Sequence, residues 1–546
     1  MGKVLKRLLA VTMAAAVFFG TGFTGASVST AKAAEKPMEG ELVVVHTNDM
    51  HGHYNAVEGE QLGISAVVSL KNYYESRGAD VLLLDAGDFS QGSTLVSYFD
   101  GGSAVLFMNA AGYDAVSLGN HEFDYGFDEL QIMAALADFP ILDANILHRD
   151  SEEPYFEAHK IFDFQGMKVG VFGLDTAEAQ TKASPKNVRD IRILDGQELY
   201  ACAQEQIDAL KEAGCDYIIC LGHLGVDDES LGRRSVDVAA NTTGIDLFID
   251  GHSHTELDGG LLVNDTLITS TGSYLSNIGV VEIDKNSKEE KASLVKAAGY
   301  KGGHDAAVDG FVTAHQDIVD AAYAGLFATA TVDLNGEREP GVRTQETNLG
   351  DFAADAYRYA AQQYMGSEVT VDGAIQNGGG VRASIPAGPI SMNTLYTVFP
   401  FGNSISIVRV TGAQLLEALE ASCSAAPSAL GGFPQVSGIV FTVDTSVPYV
   451  NGMQYPDSTY YAPAAPGSRV TIETVGDRAF SLTDSYYIAV NNFMADGGDT
   501  YYVFTQAEEV IDTGVIDAEG LISYVDSLGG VIGDSYAVPK NNITIK

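Results

Sequence analysis

The stretch Asp114–Asp124, DAVSLGNHEFD, decides how this chain is read. A short apolar run, Ala115 to Leu118, stops at Gly119 and gives way to Asn120, His121 and Glu122. An apolar run bounded by glycine reads as an interior strand, and in open α/β sheets ligand groups collect just beyond the carboxyl ends of such strands. Taken alone, an Asn-His turn can also simply satisfy its own backbone. The weight of the reading comes from recurrence of the same ending along the first half of the chain.

Upstream, Glu41–Val45 runs into His46-Thr47-Asn48-Asp49-Met50-His51, and Val81–Leu84 runs into Asp85-Ala86-Gly87-Asp88. Downstream, Asp216–Leu221 ends at Gly222-His223 and Asp246–Asp250 at Gly251-His252-Ser253-His254. Helical spacing over Ile64–Arg77, Ser103–Ala111 and Gln197–Ala213 separates these runs, with further strands expected at Pro140–Asn145, Lys168–Asp175 and, closing the sheet, Gly279–Ile283. Strand, helix, strand in repetition is the pattern of an α/β sheet layered with helices.

At 546 residues the chain exceeds what one hydrophobic core supports, so two domains and a connector are expected. The Ala-rich stretch Gly302–Ala328 has a helical pattern, and Thr331 looks like a new strand start. We therefore expect a signal peptide over 1–34, a first domain over 40–300, a helical linker over 301–329 and a second, α+β domain over 330–546 that opens with a helix at Leu349–Tyr364.

Lys3, Lys6 and Arg7 precede an apolar run from Leu8 to Phe19 and then Ala31-Lys32-Ala33, the layout of a secretory signal cleaved near Ala33 or Ala34. The run is short for a membrane span, and Ile543-Thr544-Ile545-Lys546 ends the chain without a hydrophobic tail. These features predict a secreted or periplasmic protein with no stable membrane insertion. The formal net charge of −42 repels nucleic-acid polymers and anionic membranes, so an anionic small substrate requires concentrated local cations. Four cysteines, Cys202, Cys215, Cys220 and Cys423, are too few for a disulfide scaffold.

The five strand-end blocks are Asp49-x-His51, Gly87-Asp88, Gly119-Asn120-His121-Glu122, Gly222-His223 and Gly251-His252-x-His254. Carboxylate oxygens and imidazole nitrogens together suit zinc, manganese and related divalent ions, and two ions can share one carboxylate. Seven of these side chains serve two four-coordinate ions if Asp88 bridges, which leaves His121 free for chemistry, with Asp124 three residues on to orient it. All eleven histidines fall at or before His315, so the second half cannot readily build an imidazole site.

This ordered set, D-x-H, G-D, G-N-H-E, G-H and G-H-x-H, resembles the calcineurin-like metallophosphoesterases. The resemblance implies an N-terminal metallophosphoesterase β-sandwich flanked by helices. It implies that Asp49, His51, Asp88 and His254 hold one metal ion and that Asp88, Asn120, His223 and His252 hold the other, with zinc expected and manganese, cobalt or magnesium as alternatives. It also implies that His121 stabilises the phosphoryl oxygens or the leaving group and that Asp124 polarises its imidazole. Glu122 is read as structural.

The second half offers Arg343–Asp351 (RTQETNLGD), Asn377–Arg382 (NGGGVR), Phe399–Asn403 (FPFGN) and Asn492–Asp499 (NFMADGGD). Arginine forks suit phosphate oxygens, glycine runs let backbone approach a ligand, and aromatic faces stack on bases. The combination is similar to the C-terminal domain of the 5′-nucleotidase family. That likeness implies that Phe401 and Phe493 sandwich the base, that Asn377 and Asp499 bind ribose or position the nucleoside, and that Arg343 and Arg382 bind phosphate or ribose oxygens. Related enzymes often carry a second arginine two residues beyond the first, where this chain has Gln345. The resemblance implies hydrolysis of nucleoside 5′-phosphates, with substrate carried to the metals by rotation of the second domain. A 2′,3′-cyclic nucleotide phosphodiesterase, a UDP-sugar hydrolase and a non-catalytic nucleotide-binding surface protein are the alternatives.

Overall fold

In the computed structural model the described residues are 37–183, 187–367, 369–476 and 478–546. The expected signal peptide and its cleavage point lie outside them. The chain divides into two compact units, the first ending at Val319 and the second beginning at Asp320, with a short piece starting at Gln180 grouped with the second.

The first unit is a sandwich of two sheets. One runs, edge to edge, Glu290–Lys296, Asn277–Asp284, Glu41–Thr47, Asp80–Ala86 and Ala115–Ser117. The other runs Leu261–Val263, Thr266–Thr269, Leu247–Asp250, Tyr217–His223, Met167–Asp175 and His159–Phe164. Between them lies one apolar layer, to which Leu42, Val44, Leu82 and Leu84 contribute from the first sheet and Val169, Val171, Ile219, Leu221 and Ile249 from the second. The alternate residues of these strands face helices. Phe172, Leu174, Ile218, Cys220 and Phe248 pack against Leu199, Cys202, Ala203, Ile207 and Leu210 of the helix Gly196–Glu212. Burial on both faces is why these strands read as continuous apolar runs rather than alternating ones.

Parallel pairing brings the strand ends level. Thr47 pairs with Asp85 and Ala86 with Ser117 in one sheet, while Asp175 pairs with His223 and Gly222 with Asp250 in the other. The residues that follow each strand therefore emerge along one rim of the sandwich.

Several expectations are corrected. Pro140–Asn145 makes only isolated bridges, through Ile141 and Leu142, and the regular strand is Ile146–His148. The backbone of Pro140–Asn145 is divided among several partners, with Leu142 N–H donating to Val116, Asp143 N–H to Glu157 and Ala144 N–H to Gly173, so no single ladder forms. The strand Asn277–Asp284 is interior, and Glu290–Lys296, whose alternating exposure suits an edge, closes the sheet. The helix Ala306–Tyr323 occupies only part of the expected connector, and the next strand is already Leu326–Ala330 rather than starting at Thr331. All four cysteines are free thiols, three of them buried.

The second unit centres on a mixed five-stranded sheet, ordered Pro434–Ser437, Gly373–Asn377, Ser485–Asn491, Ser404–Thr411 and Glu509–Ile516. Leu349, Phe352, Ala356 and Tyr357 of the helix Asn348–Met365, with Leu521 and Val525 of the helix Asp517–Ser527, form one core. Leu415, Leu416 and Leu419 of the helix Gly412–Ser422 form another. Among the described residues no helix is long and apolar enough to cross a membrane.

The Asn348–Met365 helix begins at a capping threonine, whose Oγ1 accepts the Gly350 N–H at 3.0 Å. Replacing that side chain leaves a buried amide without its acceptor. Thr347→Ala is expected to lower the stability of the second unit by about 1 kcal/mol in urea denaturation; an unchanged midpoint would show that the cap is dispensable.

Candidate metal centre

The seven side chains expected to hold metal all project from the rim where the parallel strands end. Asp49, His51, Asp88, Asn120 and His223 are buried and His252 and His254 half-buried. Among the described residues, Asp49, His51 and His254 place one donor atom each within 4.8 Å of one another, and Asp49, Asp88 and His223 do the same. His252 and Asn120 join through a 2.8 Å contact between Nδ1 and Oδ1, and the His252 backbone N–H donates to the Asp49 carboxylate. His51, Asp88 and His121 form a third such group, so His121 sits among the ligand candidates.

Backbone shape is part of this geometry. Asp49, His51, Asp88, His252 and His254 all have positive φ, between 46° and 73°. Non-glycine residues rarely occupy that region, and where they do they cluster at functional sites. Close packing is another part. A Cβ on Gly119 would lie 2.5 Å from Asp88 Oδ1, and one on Gly251 would lie 2.7 Å from His223 Nδ1. The two glycines flank the donors because nothing larger fits.

The imidazoles are oriented for metal. His51 Nδ1–H donates to the Gln91 carbonyl and His223 Nδ1–H to that of Ala86, which leaves each Nε2 facing inward. His51 Nε2 and His254 Nε2 stand 3.1 Å apart. His223 Nε2 is buried without a hydrogen-bond partner, 3.1 Å from Asp88 Oδ2. A buried nitrogen of this kind is costly unless something binds it. Hard oxygens and imidazole nitrogens at these separations fit divalent cations of the zinc and manganese type.

Burial raises Asp49 to about 6. Burial also works against ionisation of Asp88, but His223, His121 and His51 outweigh it and hold Asp88 well below the usual carboxylate range. His223 is the reverse case: burial disfavours its charge, yet Asp88, Asp49 and Asp175 raise it well above an ordinary imidazole.

Glu122 organises the loops beneath the donors. Its Oε2 accepts Asp88 N–H at 2.9 Å and Gly119 N–H at 2.8 Å, and its Oε1 accepts Phe89 N–H, Ser90 N–H and Ser90 Oγ–H, each at 2.9 Å. His121 is oriented in turn: its backbone N–H donates to Asp88 Oδ1 and its Nδ1–H to Asp124 Oδ2 at 2.6 Å. Neither Asp143, which holds the Leu118 amide, nor Glu178, which meets His252 Nε2 at 2.9 Å, was singled out from the sequence. Glu178 lies three residues beyond the strand Met167–Asp175, so the strand-end rule used for the other blocks would have found it.

In the second unit, the residues expected to bind substrate gather about the loop Asn377–Arg382. Asn377 Nδ2–H donates to Asp499 Oδ2 at 2.8 Å, and Asn491 donates to Asn377 Oδ1 at 2.9 Å. Gly378 abuts the backbone of Arg343, where a Cβ would come within 3.3 Å of its Cα. The Arg382 guanidinium lies 5.7 Å from the centre of the Phe401 ring. Phe493 lies over Gly498, beside Asp499, which has φ +49°. Asn491 and Gly431, whose Cβ would sit 3.4 Å from Asp499 Oδ1, belong to the same neighbourhood and carried no sequence signal of their own.

Two family models match the chain: calcineurin-like phosphoesterase over residues 42–256 and 5′-nucleotidase, C-terminal domain, over 326–506. A trifunctional nucleotide phosphoesterase protein of Bacillus subtilis (strain 168), YfkN, is 31% identical over 91% of this chain, which spans 35% of that relative's length. A 5′-nucleotidase of Vibrio vulnificus is 27% identical over 93% of this chain and 94% of its own. Among solved structures, a 5′-nucleotidase precursor from Thermus thermophilus superposes with a TM-score of 0.77 at 29% identity, over 92% of this chain and 99% of that one.

Glu122→Gln places an amide NH₂ where an oxygen now accepts backbone donors. The expected result is a loss of about 1–3 kcal/mol of stability together with reduced metal uptake, measured by denaturation and elemental analysis. Unaltered uptake would mean that the loops hold their shape without this carboxylate.

Proposed function

The chain belongs to the 5′-nucleotidase family of calcineurin-like phosphoesterases and is a phosphoesterase hydrolase; on that premise we propose that it is an exported 5′-nucleotidase. It hydrolyses nucleoside 5′-phosphates to nucleoside and phosphate at a dinuclear metal centre. The observation that carries this reading is the convergence of Asp49, His51, Asp88, Asn120, His223, His252 and His254 at one rim.

Asp49, His51, Asp88 and His254 would hold one divalent cation and Asp88, Asn120, His223 and His252 the other. Such a pair supplies Lewis acidity to the phosphoryl oxygens and acidifies an attacking water. Asp124 fixes the His121 tautomer by taking its Nδ1–H, so the protonated ring offers Nε2–H to phosphoryl or leaving-group oxygens. The Asp88 carboxylate holds the His121 backbone, which keeps the acid registered to the cage. Phosphoryl transfer depends mainly on positioning and charge stabilisation of this kind.

Nucleoside recognition falls to the second unit. Phe401 and Phe493 sandwich the base, Asn377 and Asp499 engage the ribose, and Arg343 and Arg382 take phosphate or ribose oxygens. The hydrogen bond between Asn377 and Asp499 and the left-handed backbone at Asp499 support a preformed polar site. Two residues past Arg343, Gln345 is exposed and uncharged, which favours monophosphates over more highly charged nucleotides. The trifunctional name of the Bacillus subtilis relative keeps a second reading in view, a 2′,3′-cyclic nucleotide phosphodiesterase or UDP-sugar hydrolase on the same framework.

His121→Ala is expected to lower kcat for AMP by about 10²–10⁴-fold while metal content stays near that of the wild type, whereas Asp88→Ala loses metal as well. Equal metal loss in both would move His121 into the ligand set. Phe401→Ala and Phe493→Ala should each weaken AMP by about 1–3 kcal/mol relative to ribose 5-phosphate. Equal damage to both substrates would rule out stacking. Chelation should abolish release of phosphate from AMP; persistence of activity without metal would end the dinuclear reading.

A further inference from the structure

Most ligand candidates lean on backbone carbonyls or on one another, but His252 leans on a carboxylate that the sequence did not mark. Its Nε2 meets Glu178 Oε2 at 2.9 Å, while its Nδ1 faces Asn120 Oδ1 at 2.8 Å. One ring nitrogen is thereby committed to Glu178 and the other is turned toward the cage. Glu178 is 1% exposed, in the segment just past the strand Met167–Asp175. A carboxylate buried to that degree requires cationic or donor partners. Its partners include His252 and the Arg233 guanidinium, whose NH1 lies 3.6 Å from Glu178 Oε1. Arg233 is itself clamped by two 3.0 Å bonds to Asp195, the N-cap of the helix Gly196–Glu212.

From this chain of contacts we propose that Glu178 is the positioning residue for the second metal ion: by accepting Nε2–H it fixes His252 as an Nδ1 ligand. Arg233 and Asp195 hold the Glu178 carboxylate against the helix end, so the orientation of one imidazole is referred to a fixed part of the fold. A carboxylate on the far nitrogen of a ligating imidazole also raises the basicity of the near one, and removing such partners weakens metal binding by about 10–100-fold. The inference rests on the dinuclear reading above. It adds that the two ions differ in what supports them. The set Asp49, His51, Asp88 and His254 does not include the His252 ring, which is the imidazole that Glu178 Oε2 meets.

The test compares wild type, Glu178→Ala and Glu178→Gln, each stripped with chelator and titrated with Co²⁺ in metal buffers. Bound metal is counted by elemental analysis, the visible cobalt spectrum is recorded, and folding is followed by thermal denaturation. Wild type should take up two equivalents. Glu178→Ala should keep one equivalent at wild-type affinity and bind the other about 10–100-fold more weakly, with a changed cobalt spectrum. Glu178→Gln, whose amide oxygen still accepts Nε2–H, should recover part of that loss. Two equivalents bound normally by Glu178→Ala would overturn the inference while leaving the dinuclear centre intact. Equal weakening of both ions with a matching drop in Tm would overturn it too, by showing that Glu178 serves only the fold. A wild-type chain that took up no pair of ions would overturn the dinuclear reading and this inference with it.

Discussion

The carboxylate of Glu122 is the constraint from which the site follows. Five donors from the loops after Asp80–Ala86 and Ala115–Ser117 converge on its two oxygens. Those loops carry Asp88, Asn120 and His121. Burial, and after it the charge of Asp88, raises Glu122 to about 7, and the converging donors oppose that rise. The loops are thus tied by a buried carboxyl group close to the Asp88 carboxylate. Such an arrangement is tolerable where cations bind immediately above it.

Backbone strain and side-chain chemistry coincide here. Five of the seven metal-ligand candidates have left-handed backbone, and each carries a conformational cost that the parallel sheets and their glycine-flanked loops must override. Gly119 and Gly251 let Asp88 and His223 come close enough for that geometry to close. The sandwich serves as the rigid body against which the strained loops are held.

Much of this was legible in the sequence because the strands that end at the rim are mostly apolar runs stopped by Gly, Asp, Asn or His, a boundary that composition alone makes sharp. Asp49, His51, Asp88, Asn120, His223, His252 and His254 stand out on that rule, and the structure gathers them. The rule failed where polar residues interrupt a strand-like run. Pro140–Asn145 forms no regular ladder because its amides are shared among Val116, Glu157 and Gly173 on different elements, and its polar Asp143 and Asn145 serve Leu118 and Asp175. The edge strand Glu290–Lys296 was invisible because alternating charge reads as loop. The strand Leu326–Ala330, ahead of the expected start at Thr331, was hidden because its alanines continue the Ala-rich helical pattern before it. Glu178 stands at a strand end where that rule could reach it, but its role depends on a partner 74 positions away, which no local pattern encodes.

The eleven histidines all lie at or before His315, and the compact units divide beyond that point. Imidazole ring-proton resonances of the intact chain therefore arise from one unit alone. Magnetic resonance of those protons, or acylation by an imidazole-selective reagent, can watch the metallophosphoesterase unit while the second unit contributes no imidazole signal.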